Sequence, residues 1–319
     1  MKTSSVTIFG GSGFIGRHLI RKIAKSGARI RIAVRKPNRA KFLEPLGNVG
    51  QIVPIYSDLT DYHSVSKAID GSNIIINLVG ILHNTGKYTF NSVHAKGAEN
   101  LAKIAKEKNI LRLVHVSALG ADKDSKSFSA RSKAEGEDAI LSNFSNATVL
   151  RPSLVFGTED KFFNRFASMS RFMPFLPIFG NSFSNIGKTL FQPVYVEDVV
   201  KSVIFSTENV LAEGKIFELG GPKQYSYKEL MSIILDITGR KRMLLPVSVN
   251  NAKVLAFFLE MLPGALLTRD QLTQIMINNI VSKGAYSFSD MNISPTPLET
   301  IVPEYLSRFR KDSAVGIFR

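Results

Sequence analysis

A chain of 319 residues that is 44% hydrophobic and lacks cysteine can bury a large core, but it cannot form a disulfide, a thiolate metal site or a cysteine nucleophile. Its formal charge of +15 rests on 41 basic against 26 acidic residues, and residues 1–50 carry eleven Lys or Arg with Glu44 as their one acid. The five histidines show no metal-ligand spacing and no run of 18 apolar residues exists, so neither a metal site nor a membrane-spanning helix is expected.

The first strand begins by Ser5, with no signal or transit peptide expected before it. Val6 to Phe9 reads as a buried strand, followed by a glycine-rich turn and a helix with Ile15, Leu19 and Ile23 on one face. Gly10, Gly13 and Gly16 are spaced three apart. In a dinucleotide site the first glycine makes the tight turn, the second lets backbone N–H groups approach a pyrophosphate, and the third lets helix and strand pack closely. Gly10, Ser12, Gly13, Phe14, Ile15 and Gly16 are therefore the expected pyrophosphate contacts.

Arg29 to Val34 alternates Ile30, Ile32 and Val34 as a second strand and runs into Arg35 and Lys36. Where an NAD site places a carboxylate for the ribose hydroxyls, this chain places two cations, which attract a 2′-phosphate. NADPH is the expected cofactor, ahead of NAD(H). A third strand, Gln51 to Tyr56, leads to Asp58 and Leu59. Asp58 either accepts from the adenine amino group or caps a helix starting near Asp61. A fourth strand, Asn73 to Gly80, is apolar enough to be buried on both faces, and Leu78, Val79 and Gly80 at its end point to the cofactor.

A helix over Ser92 to Glu107, a fifth strand from Leu111 to Ser117 and a sixth from Ala147 to Leu150, leading to Pro152, continue the alternation. The fold class is α/β: a doubly wound parallel Rossmann sheet over residues 1–155, with a smaller mixed lobe over 156–319 from which some segments return to the sheet. In that lobe, two prolines keep Arg171 to Gly180 from being an ordinary helix, and a core-packed loop is expected, ahead of a cleft, membrane or partner contact. Gln192 to Val200 reads as a strand or turn entering a helix with Glu197 and Asp198 in its first turn. Ser226 to Glu229 is a capping box whose helix stops at Gly239; Val254 to Leu267 is strongly apolar. Thr268 to Gln271 is a second capping box, opening a helix with Leu272, Ile275, Met276 and Ile280, and Arg308 to Arg319 are expected to fray.

The glycine spacing, the alternation and Asn77-Leu-Val-Gly80 resemble the extended and atypical short-chain dehydrogenases/reductases. In that superfamily a Ser after the fifth strand and a Tyr-x-x-x-Lys pair do the chemistry: the tyrosine transfers the proton, and the lysine lowers its pKa and holds the nicotinamide ribose. Here Ser117 and Lys133 match the family serine and lysine, but Ser129 stands at the tyrosine position. A serine hydroxyl is shorter and far less acidic than a phenol, so Ser117 and Lys133 are read as vestiges of a catalytic set. Lys133 would hold the ribose, with Ser117 and Pro152 near the nicotinamide.

Further stretches look like one family within it. They are Ile8 to Gly16, Val116 to Ala121, Arg131 to Glu137, Gln192 to Asp198 and Leu262 to Leu272, and the likeness covers residues 5–285. They resemble the NAD(P)H-binding accessory subunit of respiratory complex I and its bacterial relatives. The resemblance implies a tightly held NADPH in a structural role, with partners among the peripheral-arm subunits next to the membrane. It also implies either a cytoplasmic protein on the inner face of a bacterial plasma membrane, or one on the mitochondrial matrix side in a eukaryote. The basic surface would also suit an anionic membrane; without a helix-turn-helix or interleaved aromatic and basic residues, no nucleic acid is expected. The alternative is an active NADP-dependent reductase or epimerase acting on a quinone precursor, a lipid or a nucleotide-sugar.

Overall fold

The computed structural model describes residues 4–180, 185–260 and 268–311. In chain order the elements begin β1 (Ser5–Phe9), α1 (Phe14–Ala24), β2 (Arg29–Val34), β3 (Ile52–Tyr56), α2 (Tyr62–Ile69), β4 (Ile74–Asn77), α3 (Lys96–Glu107), β5 (Arg112–Val116), α4 (Phe128–Asn143) and β6 (Thr148–Pro152). They continue with β7 (Val155–Phe156), α5 (Phe162–Phe172), β8 (Phe175–Gly180), β9 (Leu190–Phe191), β10 (Val194–Tyr195), α6 (Val196–Glu208), β11 (Ile216–Leu219) and β12 (Tyr225–Ser226). The last are α7 (Tyr227–Thr238), β13 (Met243–Ser248), α8 (Val249–Glu260), α9 (Arg269–Ile275) and α10 (Leu298–Leu306).

The chain divides into two units. The first comprises residues 1–152, 196–219 and 282–294. Its seven strands lie parallel in the order β11-β6-β5-β4-β1-β2-β3. Every residue of β4 is buried, as the unbroken Ile74-Ile75-Ile76 run requires of a strand covered on both faces. On one face Leu101, Ala102 and Ala105 of α3 pack with Ile75, Leu113 and Ile140. The strand is shorter than the apolar run that announces it. Leu78 still donates its N–H to the Phe9 carbonyl of β1 at 2.9 Å, and the chain then leaves the ladder with Asn77 Oδ1 accepting the Val79 N–H at 3.1 Å.

The second unit comprises residues 153–195, 220–281 and 295–319. Its core gathers around Tyr227, 1% exposed, whose ring lies 5.9–6.2 Å from those of Phe162, Phe166, Phe179 and Phe191. The segment expected as a loop, Arg171 to Gly180, is helix end and strand: β8 pairs in parallel with β13, and Leu176, Ile178 and Phe179 are buried. A two-stranded sheet has only edges, so Pro177 costs no ladder bond there.

Both capping boxes form, at Ser226–Glu229 and Thr268–Gln271, and Gly239 ends α7. The second helix stops at Ile275, so Ile280 is not on it; the chain turns back and Asn279 pairs beside Phe191. Residues 308–311 do not fray either, since Arg310 Nε donates to the Ile237 carbonyl and Arg240 to that of Phe309. Residues 261–267, with most of the Leu262 to Leu272 resemblance, and residues 312–319 lie outside the described residues.

Candidate functional site

The strand order reverses between β1 and β4, and open parallel sheets bind ligands outside the carboxyl ends of the strands at such a point. Two glycines shape it. Gly10 has φ +75°, and a Cβ there would come within 3.0 Å of the Leu78 backbone, so the turn after β1 and the chain leaving β4 meet main chain to main chain. A Cβ on Gly16 would come 2.3 Å from the Gly11 carbonyl oxygen, so only glycine lets α1 start this close to the turn. Gly13 is the N-cap of α1 and offers no side chain to its first N–H groups, and no acid stands in the first turn. Those donors and the positive end of the helix are left for an anion. Arg17 Nε donates to the Ser12 carbonyl at 3.1 Å and holds the loop's shape.

Read along the sheet edge, the expected site residues fall in one row. Asp58 and Leu59 follow β3, Arg35 and Lys36 follow β2, Gly10 to Gly16 follow β1, Leu78 to Gly80 follow β4, Ser117 follows β5, and Pro152 ends β6. Arg35 and Lys36 are exposed. Asp58 is 3% exposed and is not the cap of α2, a task done by Asp61, which accepts from the His63 N–H. Its carboxylate instead takes the N–H and hydroxyl of Thr60 on Oδ1, and the Tyr88 hydroxyl and Lys87 ammonium on Oδ2. Burial works to raise its pKa, but these donors prevail and hold it below the usual carboxylate value.

At the other end of the row Asn77 Nδ2 lies 3.1 Å from His115 Nδ1. The amide oxygen is already used by Val79, so the amide donates and the imidazole is neutral with its proton on Nε2. Burial, then the Lys133 charge, push His115 down to about 4. His94 is neutral as well: its Nε2 accepts the Ile81 N–H at 3.0 Å, and its Nδ1–H donates to Ser132 Oγ at 2.9 Å, which donates on to the Ser129 carbonyl. Burial, then Lys133 and His115, push it down to about 3. Lys133 is thus electrically close to both rings. His94 itself sits in a π-turn, Asn91–Ala95, at the head of the expected Ser92 helix. It pins the chain leaving β4 to the helix that carries Lys133, a role its place in an amphipathic pattern does not announce.

The site can hold a dinucleotide. Ser57 Oγ after β3 and Ser117 Oγ after β5 are the two buried side-chain polar atoms without a partner among the described residues. They lie toward the two ends of the row, and each fits a hydroxyl that awaits a ligand group. Nicotinamide supplies hydride chemistry when bound. This chain would supply the phosphate cradle of Gly10 to Gly16, cations at Arg35 and Lys36, the Lys133 ammonium and the Ser117 hydroxyl. No phenol stands at the position of Ser129, which is buried. Tyr88 is engaged by Asp58, and Tyr195 belongs to the second unit, where its ring lies 5.6 Å from Phe156. Among the described residues no group of His, Cys, Asp and Glu could hold a metal, and no helix is long and apolar enough to cross a membrane.

A family model described as NAD(P)H-binding matches residues 10–156. The mitochondrial NADH dehydrogenase [ubiquinone] 1 alpha subcomplex subunit 9 of Arabidopsis thaliana is 32% identical over 317 residues, 96% of this chain and 78% of that one. A ceramide reductase of Caulobacter vibrioides is 28% identical over 239 residues, 74% of this chain and 71% of that one. Among solved structures, a dTDP-glucose 4,6-dehydratase of Streptomyces venezuelae with NAD bound superposes with a TM-score of 0.73 at 17% identity, covering 98% of both chains. The last shows the fold, a Rossmann sheet flanked by helices. The chain carries an NAD(P)H-binding domain, and it belongs to the family of NADH dehydrogenase 1 alpha subcomplex subunit 9.

Proposed function

We propose that this member of the subunit 9 family holds NADP(H) without turning it over, as an accessory protein of an NADH:ubiquinone oxidoreductase. The observation that carries the reading is the span of the likeness: it runs through nearly the whole chain, well past the dinucleotide domain that many unrelated activities share. The chemistry of the site supports it. Every element that grips a dinucleotide is in place, whereas the proton donor is replaced by Ser129. Arg35 and Lys36 support the 2′-phosphate, and with it NADPH over NADH.

The partners are peripheral-arm subunits next to the membrane, which places the protein on the matrix side in a mitochondrion or on the cytoplasmic face in a bacterium. The face that meets them lies in the second unit. Leu176, Ile178 and Phe179 are spent on its own core, and the most exposed large apolar side chains among its described residues are Phe172, Met243, Val254, Phe257 and Phe258, exposed between 48% and 81%. The test is to tag the protein in its host, solubilise membranes gently, identify what co-purifies, and release any nucleotide by denaturation. Complex I subunits together with NADP(H) are expected; a soluble protein free of them would overturn the reading.

A second reading, a reductase acting on a lipid carbonyl, is favoured by the ceramide reductase likeness and by the unpartnered Ser117 hydroxyl. It needs a proton donor from elsewhere. Oxidation of NADPH that depends on a lipid ketone, and is lost in Lys133→Ala, would establish it.

A further inference from the structure

The chain leaving β4 returns to α3 by way of residues 81–90, and its course is unusual. Its start is fixed by the Ile81 N–H, which donates to His94 Nε2, and its return is closed on the strap itself, the Phe90 N–H donating to Asn84 Oδ1. Between them a tight hairpin, with Thr85 and Tyr88 exchanging both backbone hydrogen bonds, carries Tyr88 to Asp58 on the far side of the site. β4 and β3 are separated by β1 and β2, so the strap crosses the carboxyl ends of those two strands. At about 4.8 Å per strand spacing it spans roughly 14 Å of the groove floor.

The two residues that Tyr88 touches are the two that the dinucleotide needs at its adenosine end. The Arg35 guanidinium lies over the Tyr88 ring at 4.1 Å, and the Tyr88 hydroxyl donates to Asp58 Oδ2 at 2.9 Å. A flat ring against Arg35, with a polar donor aimed at Asp58, is what an adenine with its amino group would present in the same place. Lys87 adds its ammonium to the same carboxylate oxygen at 3.2 Å, and Thr60 fills the other oxygen twice. Asp58 has no oxygen left for a base while Tyr88 is seated. Residues 82–87, the rest of the tip, are exposed, and besides Asp58 the tip's main chain is tied by Ser92 Oγ, which donates to the Lys87 carbonyl at 2.9 Å next to the start of the helical segment.

We propose that Tyr88 is an internal stand-in for adenine. It occupies the adenosine subsite, keeps Arg35 and Asp58 in their binding positions, and must swing out for the cofactor to seat. This rests on the dinucleotide reading above and adds the residue that competes with the ligand. One charge-assisted hydrogen bond and one stacked cation, offset by the ordering of an exposed tip, hold the seated form about tenfold over the open one. The apparent affinity for any adenosine-bearing ligand is lowered by that factor.

The test uses the purified full chain freed of nucleotide, with Tyr88→Ala and Tyr88→Phe. Calorimetry and stopped-flow fluorescence would measure binding of NADPH, of 2′,5′-ADP as the adenosine half, and of reduced nicotinamide mononucleotide as the other half. Tyr88→Ala is expected to bind NADPH and 2′,5′-ADP about tenfold more tightly and with faster association, and Tyr88→Phe, which keeps the ring, about threefold. The mononucleotide gains nothing in either variant. NADPH bound by the wild type but no more tightly, or less tightly, by Tyr88→Ala overturns the stand-in and leaves the cofactor reading intact. If neither wild type nor variant binds NADPH or NADH, the cofactor reading itself fails, and the stand-in with it.

Discussion

Acid should loosen the nucleotide-binding unit well before its carboxylates titrate, and the cause would be two histidines. His94 and His115 are neutral in the fold, at about 3 and about 4 against 6.5 for an ordinary imidazole. The sign follows from proton counting: between those values and 6.5 the unfolded chain binds protons that the folded chain refuses, so stability falls as pH falls. The contribution is complete above pH 6.5. At pH 5 each ring has forfeited about 2 kcal/mol, and the pair about 4 kcal/mol. Other groups titrate in the same range, so a variant must isolate the effect. His94→Gln keeps an acceptor for the Ile81 N–H and a donor for Ser132 Oγ but cannot be protonated. Urea unfolding followed by circular dichroism at pH 7 and pH 5 should show the variant losing about 2 kcal/mol less than the wild type on acidification. Equal losses in the two proteins would refute the account of His94 as a ring held neutral by burial beside Lys133.

Three further outcomes follow from the geometry. Arg35→Glu should reverse the preference between NADPH and NADH, with NADPH weakened a hundredfold or so by the repelled 2′-phosphate; unchanged NADPH fluorescence titrations would move that phosphate elsewhere. Gly16→Ala forces a Cβ to 2.3 Å from the Gly11 carbonyl, which neither backbone can yield to, so it should cost about 3 kcal/mol or more in thermal or urea unfolding and abolish cofactor binding. Glu137 on α4 is 2% exposed and held by the Arg151 guanidinium of β6 through three contacts of 2.6–3.1 Å. Arg151→Met strands that buried carboxylate and should destabilise by about 3–5 kcal/mol, and adding Glu137→Gln should restore a large part of the loss.

The nucleotide half was the legible half, because its constraints are local. A strand buried on both faces must be continuously apolar, and Ile74 to Ile76 announce that; a left-handed turn where a Cβ would come within 3.0 Å of neighbouring main chain must be glycine, and Gly10 announces that. Cap chemistry is local too, so both capping boxes could be read within a residue. What escaped depends on pairing at a distance. β8 is a strand because β13, sixty-eight residues on, lies beside it, and nothing within Phe175 to Gly180 encodes the partner. His94 looks like one more residue of a helix until Ile81 and Ser132 are found on its two nitrogens. Tyr88 is a loop residue of no pattern, and its meaning comes only from the strand order that puts Asp58 and Arg35 within its reach. Asp58 has two readings in the sequence, adenine acceptor or cap; Asp61 is the cap, and the Tyr88 hydroxyl is bound to Asp58.

Ser117 bears most directly on whether the site binds or merely resembles one that does. Its hydroxyl is buried and unpartnered, which costs about 1–3 kcal/mol, and nothing in the packing of a strand end requires a hydroxyl there. Ser117→Ala should therefore leave the nucleotide-free protein as stable as before, or more stable by about 1 kcal/mol. If the hydroxyl meets the nicotinamide end of a ligand, the same substitution should weaken NADPH about three- to tenfold while leaving 2′,5′-ADP untouched. With that contact the two measurements move in opposite directions, because the hydroxyl is unsatisfied without the ligand and hydrogen-bonded with it. A variant that is destabilised without ligand would mean that Ser117 is an ordinary strand-end residue with a partner of its own. The glycine cradle and the cations Arg35 and Lys36 would then be what remains to hold a cofactor.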